Sequence, residues 1–301
     1  MNILLTGSSG QLGHEMQTCL AGFGIVTAVD RLPGEDGAIG LDLANLEEVG
    51  TLLDRVRPDV VINAAAYTAV DQAETENRVA FRLNAELPAC LARWCKRNEA
   101  FLLHYSTDYV FSGHSGRPYR EVDIPGPLGV YGESKLAGEW AVGASQCRHI
   151  VLRTSWVYST HGTNFVLNML RLARQRPELS IVSDQTGCPT WARNLARASV
   201  STLQQALAVR DDSSRHGIFH YCDETAVTWY DFASMIFTQA FEQNLLREIP
   251  RLKSIKSTEF PQVARRPAYS VLDTTAIRST FGIEPPELKI SLHACLEELR
   301  A

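Results

Sequence analysis

The chain has 301 residues and is 45% hydrophobic, enough to bury a sizeable core in one large domain or two smaller ones. A formal net charge of −5, with no run of Lys and Arg, excludes the basic footprint of a nucleic-acid binder. No apolar stretch approaches the roughly 20 residues that span a bilayer, and the seven scattered cysteines form no CxxC pair, which excludes zinc and redox motifs and points to free thiols in a reducing cytoplasm.

The start of the chain reads as a strand over 2–6 that breaks at Gly7 and lacks the charged lead of a signal peptide. A helix is expected over 11–20, a strand over 24–30, a helix over 46–56 and a buried strand over 59–63. Residues 73–97 carry one long helical pattern, and 101–106 read as another strand. This βαβ rhythm with near-continuous apolar strands predicts an α/β fold whose parallel sheet is covered on both faces. The second half is less regular, with strands expected at 149–155 and 180–182 and helices at 163–174, 193–207 and 229–241. Residues 208–216 are polar and read as an exposed loop.

Between the first strand and helix lies Gly7-Ser8-Ser9-Gly10-Gln11-Leu12-Gly13. The glycines let the backbone turn tightly and approach a pyrophosphate, which then sits at the helix N-terminus. A glycine triplet alone is weak evidence, because turns also need glycine; its strand–loop–helix context strengthens it. Asp30 ends the second strand, where a carboxylate can accept hydrogen bonds from a ribose. Arg31 follows and can instead receive a 2′-phosphate, so NADH and NADPH both stay open. Asp42-Leu43 suits an adenine amino group and face, and a turn aspartate would look the same. Ala64, Ala65 and Ala66 follow a strand, where small residues leave room for a ligand against backbone.

Tyr131 and Lys135 stand four apart and share one helix face. A nearby ammonium lowers a phenol's pKa, which makes the tyrosine a usable acid for a carbonyl oxygen as hydride arrives at carbon. Thr107, at the end of an earlier strand, supplies a hydroxyl that can hold the same oxygen. YxxxK is common by chance, and it is the third partner that sharpens it. His104 lies within that strand and reads as a satisfied core histidine rather than a base.

The glycine loop, Asn63-Ala64-Ala65-Ala66, Tyr105-Ser106-Thr107-Asp108-Tyr109-Val110-Phe111, Tyr131-Gly132-Glu133-Ser134-Lys135-Leu136-Ala137-Gly138-Glu139 and Arg153-Thr154-Ser155-Trp156-Val157-Tyr158 occur in order along the chain. So do Asp184-Gln185 with Gly187, Pro189 and Thr190; Thr228-Trp229-Tyr230-Asp231; and Arg265-Arg266-Pro267. In this combination the chain resembles the extended short-chain dehydrogenase/reductases, and within them the dTDP-4-dehydrorhamnose reductase family, over nearly its whole length. The resemblance implies a Rossmann-type doubly wound sheet over 1–155 and a smaller, mainly substrate-binding domain over 156–301, with the chain crossing back between them. It implies reduction of the C4 ketone of a dTDP-4-dehydro sugar by NADPH or NADH. By position, Tyr131 is the acid, Lys135 lowers its pKa and holds the nicotinamide ribose, and Thr107 binds the reacting oxygen. Gln11, Leu12, Asp30, Asp42, Leu43, Ala64, Ala65, Ala66 and Tyr105 fall where the family contacts cofactor, and Thr107, Asp108 and Trp156 where it contacts the sugar.

Some relatives form homodimers bridged by a metal through glutamates; Glu15 and Glu298 are compatible with that, but Arg193 stands where those relatives carry an acid. Related dehydratases carry Asp-Glu after the threonine, whereas Asp108-Tyr109 here lacks the glutamate, which favours simple reduction. The alternatives are another keto-sugar nucleotide reductase or a non-catalytic, nucleotide-binding regulatory subunit. One of Arg265 and Arg266 is expected to clamp a diphosphate bidentately.

Overall fold

The computed structural model describes residues 1–34, 37–209 and 212–300. The strands are β1 (Asn2–Thr6), β2 (Ile25–Asp30), β3 (Ile39–Gly40), β4 (Val60–Asn63), β5 (Phe101–Thr107), β6 (Arg148–Thr154), β7 (Val157–Tyr158), β8 (Glu178–Val182), β9 (Thr186–Gly187), β10 (Thr190–Trp191), β11 (Gly217–His220), β12 (Val227–Thr228) and β13 (Arg251–Ile255). The helices are α1 (Gln11–Cys19), α2 (Leu46–Val56), α3 (Val70–Ala73), α4 (Asn77–Phe81), α5 (Leu87–Arg97), α6 (Val130–Ser145), α7 (Phe165–Ala173), α8 (Ala192–Ala208), α9 (Trp229–Glu242), α10 (Thr275–Phe281) and α11 (Leu288–Glu298). Of the loop expected over 208–216, residues 210 and 211 lie outside those described, and Ser213–Arg215 form a 3₁₀ turn.

Seven strands pair side by side in the order β11-β6-β5-β4-β1-β2-β3, every pair parallel. Alternate residues feed opposite faces. Ile3, Leu5, Val60, Ile62, Phe101, Leu103, Ile150 and Leu152 pack one way, against α1, α8 and α10. Leu4, Val61, Leu102 and Val151 pack the other way, against α2, α5 and Val142 of α6. Both faces are therefore buried, which is why the strands read as continuous apolar runs.

A separate core joins α7, α9 and α11 around Tyr158, Phe232 and Leu292. Thr228 and Asp231 form a capping box that starts α9, so that motif has a local structural task. α8 and α10 pack on the large sheet and β11 pairs into it, although all three follow residue 156.

The long helix expected over 73–97 is broken. α4 runs into a π turn, Arg82–Glu86, before α5. Pro88 sits in the first turn of α5 and cannot donate to the carbonyl four residues back, that of Asn84. That carbonyl instead faces α6, where a Cβ on Gly138 would lie 2.1 Å from it. The Asn84 side chain bonds both backbone groups of Tyr67 and the Ser134 hydroxyl. One irregular turn thus docks α6 at close range.

Arg193 of α8 binds Glu15 of α1 through Nε, at 2.7 Å, and also binds Glu298 of α11. A guanidinium therefore joins the two glutamates that a metal-bridged dimer would use. Glu15 is fully buried. We predict that Arg193→Ala lowers unfolding free energy by about 3 kcal/mol, because it leaves a buried carboxylate unpaired. Urea unfolding of the two proteins measures this; equal midpoints would contradict it.

Candidate active site

The strand order reverses between β1 and β4, and the loops after these two strands diverge there. In open parallel sheets such a divergence leaves a crevice beyond the carboxyl ends. Gly7 leaves β1 at φ +71°, and a Cβ on it would lie 2.6 Å from the Ala65 nitrogen. A Cβ on Gly13 would lie 2.0 Å from the Gly7 carbonyl. The loop, α1 and the alanine run therefore pack at backbone distance.

These segments line a cleft of about 400 Å³. Gly7, Gly10, Gln11, Leu12, Asp30, Arg31, Asp42, Leu43, Ala64, Ala65, Ala66, Tyr105, Tyr131 and Lys135 all line it. Of the other expected residues, Gly13 supports the loop from behind, and Thr107, Asp108 and Trp156 are not part of the lining. The sequence reading missed Ser9, Leu41, Thr68, Leu83, Ser106, Thr154, Val157 and Leu195. Thr154 could have been found, since it lies in the Arg153–Tyr158 run and pairs with Thr107 across β5 and β6.

Three buried polar atoms of the lining, Gln11 Oε1, Ser106 Oγ and Thr154 Oγ1, have no hydrogen-bond partner among the described residues. Buried polar groups are normally paired. Together with the glycine cradle, they fit a polar ligand such as a nicotinamide dinucleotide.

Several side chains already have tasks in the protein. Asp30 Oδ2 accepts from the Ser9 backbone at 2.8 Å and the Ser9 hydroxyl at 2.6 Å, so it ties the glycine loop to β2. A carboxylate keeps further lone pairs for a ribose. Arg31 is exposed beside it. Asp42 Oδ1 accepts from the Ala44 nitrogen at 3.0 Å, and Leu43 is mostly buried in the α2 face of the core. The Tyr105 hydroxyl turns away, to Ser199 of α8 at 2.9 Å. Its carbonyl accepts from Lys135 Nζ at 2.6 Å.

Glu74 fixes the start of α6, its Oε1 accepting from the Val130 nitrogen at 2.9 Å. Within the first two turns of α6, Tyr131 and Lys135 face the cleft. Burial pushes the Tyr131 phenol up to about 12, the Thr107 hydroxyl pulls it back, and the Asp108 charge adds to the rise. Burial draws Lys135 down to about 8, and Glu139 opposes the fall.

Asp108 is buried, and burial lifts it to about 6 against hydrogen bonds from Ser270, Ser155 and Thr107. Thr107 Oγ1 donates to its Oδ1 at 3.0 Å, and Ser155 Oγ donates to Oδ2 at 3.0 Å. The Thr107 hydrogen is thereby taken, which leaves its lone pairs for other donors. Trp156 adopts φ +47° and stacks on Trp229 at 3.4 Å between ring centroids, so one indole face is covered. His104 is fully buried and held well below its usual pKa by burial and by Lys135. Its Nδ1 accepts from Asn63 at 3.0 Å, while Nε2 lacks a partner among the described residues. Arg266 is tied to Asp71 at 2.7 Å and Gln262 at 2.6 Å, whereas Arg265 is exposed and lines a small recess with Tyr131 and Tyr109.

Gly13→Ala must displace the loop, so we predict at least about a tenfold loss of dinucleotide affinity, or 1.4 kcal/mol. Fluorescence titration of NADPH and NADH on the folded variant measures it; unchanged affinity would contradict the cradle.

A family model described as the RmlD substrate binding domain matches residues 1–301. A dTDP-4-dehydrorhamnose reductase of Escherichia coli strain K12 is 39% identical over 299 residues, covering 99% of this chain and 98% of the relative. The crystal structure of a dTDP-4-dehydrorhamnose reductase from Clostridium acetobutylicum superposes with a TM-score of 0.89 at 35% identity, over 100% of both chains. That of a dTDP-4-dehydrorhamnose reductase from Bacillus anthracis, in complex with NADP, gives 0.86 at 31%, over 99% of both. With a full-length family match, and with the glycine cradle and the Tyr131–Lys135 helix in one cleft, the chain belongs to the dTDP-4-dehydrorhamnose reductase family.

Proposed function

We propose that the chain reduces the C4 ketone of dTDP-4-dehydro-6-deoxy-L-mannose to dTDP-L-rhamnose, using NADPH or NADH, as a cytoplasmic enzyme. The observation that carries the reading is that Tyr131 and Lys135 line the same cleft that the glycine loop opens. Support for a location away from membranes is limited to the helices: among the described residues none is long and apolar enough to cross one.

In this reading Gly7, Gly10, Gln11, Leu12 and Ala64 to Ala66 hold the dinucleotide, and Asp30 with Arg31 meets the adenosine ribose. A bound reduced nicotinamide supplies the hydride. Tyr131, raised to about 12 and hence protonated at neutral pH, gives its proton to the carbonyl oxygen. Thr107 sits beside Tyr131, its hydroxyl fixed by the bond it donates to Asp108. Lys135, still charged at neutral pH, favours the phenolate that proton transfer leaves. The diphosphate falls to Arg265, because Arg266 is engaged by Asp71. The large sheet serves the cofactor, and the α7–α9–α11 core serves the sugar nucleotide. Simple reduction is favoured over dehydration because Tyr109, whose ring centroid is 5.9 Å from that of Tyr131, stands where elimination would want a second carboxylate.

Tyr131→Phe keeps the ring and removes the proton donor. We expect kcat to fall about 10²-fold or more, with dinucleotide affinity kept. Substrate-dependent loss of reduced nicotinamide absorbance measures it, and near-normal turnover would refute the assignment. Asp108 gains its proton as pH falls through about 6, and Thr107 then loses its anionic acceptor. We expect kcat/KM to fall below that pH, and Asp108→Asn to remove this limb; an unchanged limb in the variant would contradict the role.

A further inference from the structure

Tyr131, Lys135 and Glu139 recur at four-residue intervals on α6, so their side chains share one face. The proposed reaction uses the first two and leaves Glu139 without a task. Glu139 is 3% exposed and Arg153 of β6 is 2% exposed. Arg153 grips both carboxylate oxygens, Nε on Oε1 at 2.9 Å and Nη2 on Oε2 at 2.7 Å. Its Nη1 lies 3.3 Å from His220 Nε2 on β11. His220 Nδ1 lies 3.1 Å from the Tyr119 carbonyl, which can only accept. Nδ1 therefore bears the hydrogen, and Nε2 accepts from Arg153. Phe111 closes the remaining side, its ring centroid 5.0 Å from the guanidinium carbon. Glu139 is thus held in one place by its partner, its partner's neighbours and its own helix.

A buried ion pair seldom gains stability over packed apolar residues, so its presence calls for another reason. Lys135 supplies one. Its ammonium is 3% exposed and donates to the Tyr105 carbonyl, a poor replacement for a full hydration shell. The groups facing it from the surrounding elements are few. His104 on β5 stays neutral, and Tyr131 on α6 is a protonated phenol at neutral pH. Arg153 on β6 is positive, and Glu139 on α6 is the carboxylate that opposes the loss of the Lys135 proton. Without Glu139 the ammonium would face only dipoles and another cation.

We propose that Glu139, anchored by Arg153, is a positioning residue that keeps the Lys135 ammonium charged at the cleft. Only the use made of that charge rests on the proposed reduction. The carboxylate never touches substrate or cofactor; it acts through Lys135.

The test is competitive labelling of Lys135 with acetic anhydride in the protein without added nucleotide, across a pH series, read by peptide mass spectrometry. In Glu139→Gln the midpoint of labelling should move about one pH unit lower, the small end of the effect of an opposite charge. The alkaline limb of the reductase profile should move the same way, with turnover kept on its acid side. A folded Glu139→Gln whose labelling midpoint matches the parent overturns the proposal, as does activity lost equally at every pH. If Glu139→Gln does not fold, Glu139→Asp carries the test. Its retracted carboxylate should shift the midpoint in the same direction by less, and no shift overturns the proposal. A labelling shift in a chain with no reductase activity would refute the reaction and leave this coupling standing.

Discussion

Everything at the site depends on the reversal of strand order between β1 and β4. Two parallel strands that hydrogen-bond along their length send their following loops to opposite sides, and the crevice between those loops lets a ligand lie against strand-end backbone. Keeping it open and close-fitting at once demands atoms that are not there. Gly7 meets Ala65 and Gly13 meets the Gly7 carbonyl at distances that exclude a side chain. The same economy recurs one layer out, where Gly138 lets α6 approach the Asn84 carbonyl, to which Pro88 cannot donate. The glycine loop positions the cofactor side of the cleft and the π turn positions the helix that carries Tyr131 and Lys135.

The second constraint is electrostatic. A phenol, an ammonium and a carboxylate are brought into a largely dry interior, and burial disfavours the charged form of each. The protein answers each with local partners. Three hydroxyls surround Asp108, Thr107 offsets part of the rise at Tyr131, and Glu139 opposes the fall at Lys135. The result at neutral pH is a protonated phenol beside a positive charge, the pairing a carbonyl reduction needs. The Arg193 link between Glu15 and Glu298 follows the same logic away from the site, with a guanidinium supplying the positive charge between two acids.

Much of this was legible in the sequence because it depends on local pattern. Strands buried on both faces are continuously apolar, and glycine spacing reports backbone approach. The failures are just as physical. The 73–97 helix reads as continuous because its apolar period survives the π turn, and only Pro88 hints at the break. β11 is four residues long and follows a polar stretch, so nothing local marks it as part of the main sheet. Ser106 and Thr154 were missed because strand-end hydroxyls look alike until the β5–β6 register sets them on one cleft.

The most direct measurement follows the hydride. The folded protein is given dTDP-4-dehydro-L-rhamnose and nicotinamide dinucleotide deuterated at the transferable position, and the sugar product is analysed by NMR. One deuterium is expected, at C4 of dTDP-L-rhamnose. Product without deuterium at C4, or no reduced sugar from a protein that binds both ligands, would contradict it.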